Sequence, residues 1–279
     1  MRRLYLIGYP VSHSISPQVQ GAAIESLDLD YRYESMLVPP EGLDRAVAGL
    51  RNPSIAGFNV TIPHKVAILP LLDEVDATAR VMGAVNTVVN EDGRLKGYNT
   101  DSPAAFRAIG EVYGNLDGCR VVILGAGGAA RAVASGLSPK ARSIRILARD
   151  VAKAETLASE IGKQHEVDVL GVGLDEARSS IGAADILVNA TPVGMSTNLN
   201  LSPVDTRILH PDLLVFDLIY NPEWTRLLLD AKAAGAETLG GLTMLVYQGA
   251  ESLRLWTGRR APEDVMMGAA KRALGGGTH

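Results

Sequence analysis

The chain has 279 residues, 47% of them hydrophobic, a net charge of −4 and a single cysteine. Its length suits two domains with separate cores, and its scattered basic residues form no polybasic arm for nucleic acid or an anionic membrane. One cysteine, Cys119, excludes an internal disulfide framework and fits a reducing, cytoplasmic setting. No apolar run approaches the roughly 18 residues of a membrane span, so a small molecule is the expected partner.

The opening, Met1 to Gly8, has two arginines and then only four apolar residues, which reads as a first strand at Leu4 to Ile7 and not as a leader. A loop from Gly8 to Pro17 follows, and a helix begins near Pro17. Ser16 suits an N-cap and Ser14 a turn; the same hydroxyls near a helix N-terminus also suit a grip on a substrate carboxylate. A strand near Tyr31 to Val38, a helix from Glu41 to Leu50 and a strand at Ile55 to Val60 alternate as in βαβ units. The segment Asn59 to Lys65 then leaves a strand at its carboxyl end, where open α/β sheets bind ligands. Lys65 is either a solvated charge or a functional cation there.

Leu72 to Met82 reads as a helix, Glu91-Asp92-Gly93 as a hairpin turn into Leu95, and Pro103 as the start of another helix. Asp101 either caps that helix or faces Lys65, whose charged form a nearby carboxylate would favour. Cys119 sits just before a strand and reads as a buried, inert thiol.

Val121 to Leu124 is a strand of the kind buried on both faces, and Gly125-Ala126-Gly127-Gly128-Ala129-Ala130 follows at once. The stretch after it is helical as far as Gly136. Gly125, Gly127 and Ala130 fill the three small positions of G-x-G-x-x-G/A: a tight turn, close backbone approach to a pyrophosphate, and close helix packing. The next strand, Ser143 to Ala148, ends in Arg149-Asp150, with Lys153 nearby. An acid at this strand end marks NAD preference, whereas the Arg149 cation suits a 2′-phosphate and favours NADP. Asp150 adds a negative charge and leaves use of NAD open. Two more strands, Asp185 to Asn189 and Leu213 to Asp217, end in polar or small residues. Gly240 to Gln248 opens a final helical region, whose Gln248 is either a packed amide or a substrate donor. The five histidines are isolated, so no metal site is expected.

The segments Gly8 to Pro17, Asn59 to Lys65, Gly83-Ala84-Val85-Asn86-Thr87, Gly97 to Asp101, the Gly125 to Ala130 turn, Asn189-Ala190-Thr191 and Gly241 to Gln248 together resemble the shikimate dehydrogenase family. They follow that family's order across nearly the whole chain. The resemblance implies a two-domain α/β protein: an open α/β substrate domain over 1–101, completed by C-terminal helices in 240–279, and a Rossmann-type NADP-binding domain over 102–239, with a cleft between them. It implies reversible NADPH-dependent reduction of 3-dehydroshikimate to shikimate, on the route to chorismate and aromatic amino acids. Lys65 and Asp101 resemble the catalytic pair, Ser14 and Ser16 the carboxylate grip, and Thr61, Asn86, Tyr220 and Gln248 the rest of the substrate pocket. Gly125, Ala126, Gly127, Gly128, Ala129, Arg149, Lys153, Thr191, Leu218 and Gly241 resemble cofactor-binding positions.

Two departures stand out. Ser102 replaces a usual glycine, and Ala148-Arg149-Asp150 replaces Asn-Arg-Thr. The family's quinate enzymes often carry threonine where this chain has Ser16, so shikimate is favoured over quinate. A non-catalytic NADP-binding regulator could have lost Lys65 and Asp101, yet both are present. An amino-acid or folate dehydrogenase of similar architecture does not account for the paired serines. Oligomeric state stays open, a homodimer included.

Overall fold

The structure, a computed structural model, describes residues 1–195 and 198–275. The chain forms two compact units, Met1–Thr100 with Val246–His279, and Asp101–Leu245.

The first unit runs β1 (Arg2–Gly8), α1 (Ser16–Ser26), β2 (Tyr31–Leu37), α2 (Leu43–Leu50), β3 (Ile55–Val60), α3 (His64–Ala67), β4 (Glu74–Val75), α4 (Ala77–Met82), β5 (Thr87–Glu91) and β6 (Arg94–Tyr98). Its sheet has the order β2-β1-β3-β5-β6-β4. β1 is parallel to β2 and β3, whereas β5 is antiparallel to β3 and β6. Every residue of β3 is buried, as in a strand covered on both faces, and its one polar side chain, Asn59, is hydrogen-bonded. Its Phe58 is wholly buried against Ile7, Leu50, Val88 and Leu95 in one core cluster, a burial worth about 3 kcal/mol.

The hairpin expected at Glu91-Asp92-Gly93 is present, with Asp92 at φ 52° and Gly93 at φ 96°. Two successive left-handed residues match the twist of the flanking strands. The helix expected over Leu72 to Met82 is cut short. Asp73 accepts the Leu95 N–H (2.7 Å) and pairs with Arg51, so Glu74 and Val75 are drawn beside Lys96 and Gly97 as a short strand. The helix starts only at Ala77, behind an Asp76 cap that accepts the Thr78 N–H (2.9 Å).

The second unit runs α5 (Asp101–Tyr113), β7 (Arg120–Leu124), α6 (Gly128–Leu137), β8 (Ser143–Leu147), α7 (Val151–Gln164), β9 (Asp168–Val172), α8 (Ala177–Gly182), β10 (Ile186–Asn189), β11 (Leu214–Asp217), α9 (Arg226–Ala233) and β12 (Glu237–Gly240). Its sheet, β12-β11-β10-β7-β8-β9, is parallel throughout. Counted within the unit this is 6-5-4-1-2-3, the doubly wound dinucleotide-binding order, and its direction reverses between β7 and β10. Ser102 on α5 is buried against α6, where a Cβ at Gly136 would lie 2.8 Å from the serine hydroxyl. A glycine on the facing helix thus makes room for the serine. Cys119 is buried and unpaired, and burial pushes its thiol up to about 11, as suits an inert cysteine.

α10 (Gly241–Thr257) begins in the second unit and belongs to the first from Val246 onward. α11 (Glu263–Ala273) packs on α1.

Candidate active site

In the first unit the carboxyl ends of β1, β2 and β3 converge. Tyr9 N–H donates to the Ile62 carbonyl (2.9 Å), Thr61 N–H to Ile7 (2.9 Å) and Val38 N–H to Gly8 (3.0 Å). A Cβ at Gly8 would stand 2.9 Å from the Ile62 oxygen and the Val11 side chain, so only glycine permits this approach. The loop carrying Ser14 and Ser16 is thereby laid beside the segment carrying Thr61 and Lys65.

Ser14 donates its hydroxyl to Ser16 Oγ (3.1 Å) and accepts the Ser16 N–H (3.2 Å). Ser16 is the first helical residue; the cap position is Ile15, which offers no side-chain acceptor. Two half-buried hydroxyls therefore stand at the positive end of α1, an arrangement that suits a carboxylate. His64 is buried with its Nε2 2.7 Å from the Val38 carbonyl, which anchors α3. Lys65 follows, half-buried, and its carbonyl accepts the Val85 N–H (2.8 Å).

The next residue, Asn86, is oriented by its neighbours. Its Oδ1 accepts the Thr100 N–H (2.8 Å), so its Nδ2 must face Thr100 Oγ1 (2.9 Å) and Gln248 Oε1 (3.4 Å). The chain immediately before Asp101 is thus held by the residue that adjoins Val85. Beneath Asn86, Asn59 accepts the Tyr33 hydroxyl (2.8 Å) and directs its amide at the Asn86 carbonyl, Thr87 Oγ1 and Ser252 Oγ, 3.0 to 3.1 Å away. Three such bonds seat α10: Gln20 to the Gly249 carbonyl (2.8 Å), Asn59 to Ser252 (3.0 Å), and Trp256 to the Val88 carbonyl (2.9 Å). Positions 249, 252 and 256 lie on one helical face, so these bonds fix the rotation of α10 and the direction of Gln248.

In the second unit Gly125 leaves β7 at φ 103°, and a Cβ there would lie 3.1 Å from the Ala190 carbonyl. Its N–H donates to Leu147 (2.7 Å), which holds the turn against the end of β8. Ala126 is half-buried, whereas Gly127, Gly128 and Ala129 are exposed. Asp76, Asp150 and Thr225 cap α4, α7 and α9 with side-chain oxygens, but the cap of α6 is Gly127, which has none. Cβ atoms at 127 and 128 would meet nothing within 4 Å, so protein packing does not call for these glycines. A phosphate resting on the first amides of α6 does, and the turn fits a dinucleotide.

Arg149 is exposed at the end of β8. Asp150 accepts the Lys153 N–H (3.2 Å) and pairs with the Lys153 ammonium (3.2 Å), contacts that hold its carboxyl below the usual range. Its charge is thereby turned toward α7, and Lys153 is already engaged.

The ends of β10 and β11 are joined by side chains. Asp217, wholly buried, accepts bonds from Asn189 Nδ2 (3.0 Å), the Ile219 N–H (3.0 Å) and the Thr225 hydroxyl (2.7 Å). Asn189 Oδ1 in turn accepts the Thr191 N–H (3.0 Å) and hydroxyl (2.7 Å). Leu218 N–H donates to the Asn189 carbonyl (3.0 Å) and Gly241 N–H to Ile219 (3.2 Å); a Cβ at Gly241 would overlap the Leu218 carbonyl. Tyr220 is half-buried, and burial raises the pKa of its phenol, favouring the protonated form. Sequence reasoning missed Asp217 and Asn59 as organising residues, although both fall within segments it singled out.

Burial pushes the Asp217 carboxyl up to about 6 against three stabilising hydrogen bonds. Its native pKa thus exceeds the ordinary 3.8 by about two units. The group therefore favours the native state below that ordinary value and loses this contribution as pH rises through about 6. Relative to Asp217→Asn, wild-type stability in urea unfolding is expected to fall by about 2 kcal/mol between about pH 4 and pH 7. A difference that stays flat with pH would contradict this.

The family model described as Shikimate dehydrogenase substrate binding domain matches residues 6–88, Shikimate / quinate 5-dehydrogenase matches 108–217, and Shikimate 5'-dehydrogenase C-terminal domain matches 241–271. The Shikimate dehydrogenase (NADP(+)) of Methanopyrus kandleri is 48% identical over 274 residues, covering 96% of this chain and 94% of the relative. That of Methanothermobacter thermautotrophicus is 45% identical over 271 residues, covering 96% and 95%. The crystal structure of shikimate 5-dehydrogenase from Thermus thermophilus in complex with NADP(H) and shikimate superposes with a TM-score of 0.88 at 40% identity, covering 98% of this chain and 100% of that one. The resemblance read from the motifs is borne out over nearly the whole chain, and the chain belongs to the shikimate dehydrogenase family.

Proposed function

We propose that this protein catalyses the reversible NADPH-dependent reduction of 3-dehydroshikimate to shikimate, a step toward chorismate and aromatic amino acids. The observation that carries this reading is the pairing, in one chain of this family, of two hydroxyls at the open end of α1 with a glycine turn at the reversal point of a doubly wound sheet. Ser14 and Ser16 take the substrate carboxylate, and Thr61, Asn86, Tyr220 and Gln248 take the rest of the substrate. Gly125 to Ala129 hold the pyrophosphate on exposed amides, and Arg149 takes the 2′-phosphate while Asp150 retains Lys153. Thr191, Leu218 and Gly241 serve the nicotinamide end.

When bound, the nicotinamide dinucleotide supplies the hydride. As the ketone carbon is reduced, negative charge develops on its oxygen; the Lys65 ammonium stabilises that charge and supplies the proton. In the oxidative direction the neutral amine takes the proton back. Asp101 orients the ammonium and bonds a ring hydroxyl. The first unit with its C-terminal helices makes the substrate domain and the second the NADP domain, and the unpaired thiol suits a cytoplasmic enzyme.

The test is absorbance of NADPH formed from NADP+, with shikimate and then quinate as the sole substrate, repeated with NAD+. Turnover is expected with shikimate and NADP+, and kcat/KM for quinate is expected to be lower by about tenfold or more. Faster turnover of quinate would move the protein to the quinate branch of the family, and no NADPH from either substrate would overturn the reading.

A further inference from the structure

We propose that Asp217 is a positioning residue for the dinucleotide, setting through Asn189 and the Ile219 amide the two strand-end segments that carry Thr191, Leu218 and Tyr220. The inference rests on the cofactor reading above. Asp217 and Asn189 are paired across the last register position of β10 and β11, beside the point where the sheet order reverses.

The donor and acceptor types run in one direction. An ionised carboxylate only accepts, so Asn189 must turn its amide nitrogen toward Asp217 and its oxygen away. That oxygen receives both the N–H and the hydroxyl of Thr191. With its hydrogen committed, the Thr191 hydroxyl can only accept from the Val193 N–H (3.2 Å). The direction of Thr191 therefore follows from the acceptor at the end of the neighbouring strand, with the Val193 carbonyl (3.2 Å) as the second acceptor of the Asn189 amide. On the other side, Asp217 takes the Ile219 N–H, between Leu218 and Tyr220. Its second oxygen takes the Thr225 hydroxyl, which also accepts the Leu228 N–H (3.3 Å) and so caps α9.

All three donors to Asp217 are neutral, and the residue is 0% exposed. An apolar pair would fill the same place at less cost in desolvation. What the carboxylate adds is a common acceptor that holds two segments in one geometry, at the end of the sheet where the cofactor is expected.

The test is calorimetric titration of the purified protein with NADP+, which needs no turnover. Asp217→Ala is expected to raise the Kd by about tenfold or more, since it removes the acceptor shared by three donors and leaves Asn189 only the Val193 carbonyl. Asp217→Asn can still accept from Asn189 and Ile219 and donate to Thr225, and is expected to bind within about threefold of wild type. Asn189→Ala, which removes the side-chain ties to Asp217, to Thr191 and to the Val193 carbonyl (3.2 Å) while leaving Asp217 its other two donors, is expected to weaken binding by a similar factor to Asp217→Ala. In steady-state kinetics the effect of these variants on KM for NADP+ should exceed their effect on kcat.

Wild-type affinity in both alanine variants, or Asp217→Asn as weak as Asp217→Ala, would overturn the inference. Should Asp217→Ala not fold, Asn189→Ala decides: weak binding beside a near-normal Asp217→Asn supports the inference, and wild-type binding overturns it. A wild-type protein without affinity for NADP+ would overturn the cofactor reading and this inference with it. A binding wild type with equally binding variants would overturn this inference alone.

Discussion

Lys65→Ala is expected to lower kcat for shikimate oxidation by about a thousandfold while the protein stays folded. The substitution removes the ammonium but little else. Alanine is the best helix former, the α3 backbone is tied through the Lys65 carbonyl to Val85, and the buried His64 next to it keeps its own bond to Val38. The serine pair lies in a separate loop and the glycine turn in the other unit, so the Kd for NADP+ should stay at its wild-type value and KM for shikimate should move little. Loss of kcat at unchanged KM is the signature of an interaction made only as the reaction proceeds. Steady-state kinetics beside a thermal melt checks it. Turnover near wild type in a folded variant would return Lys65 to the role of an ordinary half-buried cation.

Asp101→Asn is expected to lower kcat by about a hundredfold. Asp101 is the first residue of α5 and is buried, at 7% exposure. Asparagine is accepted at a helix start about as readily as aspartate and has the same shape, so the fold should tolerate it. The preceding Thr100 stays bound to Asn86 through its backbone N–H, and the local chain path is kept. What is lost is the negative charge to which the proposed function assigns the orienting of the Lys65 ammonium. If Asp101 served only to begin the helix, the substitution would leave kcat unchanged and shift stability by a few tenths of a kcal/mol. Kinetics and melting temperature together separate the two roles.

The parts of the fold legible in the sequence are those set by short-range pattern. β7 announces itself by the unbroken apolar run Val121 to Leu124 because both of its faces are covered, and β3 by its place in the alternation of strands and helices. The hairpin at Asp92-Gly93 and the turn at Gly125 are legible because left-handed backbone restricts the residue type. What escaped depends on partners far along the chain. β4 exists because Asp73 binds Leu95, and β9 is a half-exposed edge strand without an apolar run. The seating of α10 rests on pairs such as Asn59 with Ser252, separated by 193 positions.

Asp150 shows a different limit. Its place before a helical run, three residues ahead of Lys153, is a cap signal, yet beside Arg149 it reads first as a charge opposing a phosphate. Asp217 closes an apolar strand, as many exposed acids do, and only the three donors around it mark it as buried.

The central claim is that Lys65 and Asp101 serve a single proton transfer, and the double variant tests it most directly. Measured against the two single variants under saturating shikimate and NADP+, Lys65→Ala/Asp101→Asn is expected to lose about as much kcat as Lys65→Ala alone, about a thousandfold, because the carboxylate acts through the ammonium. Losses that multiply, to about a hundred-thousandfold, would mean that the two groups act independently, and would contradict the account.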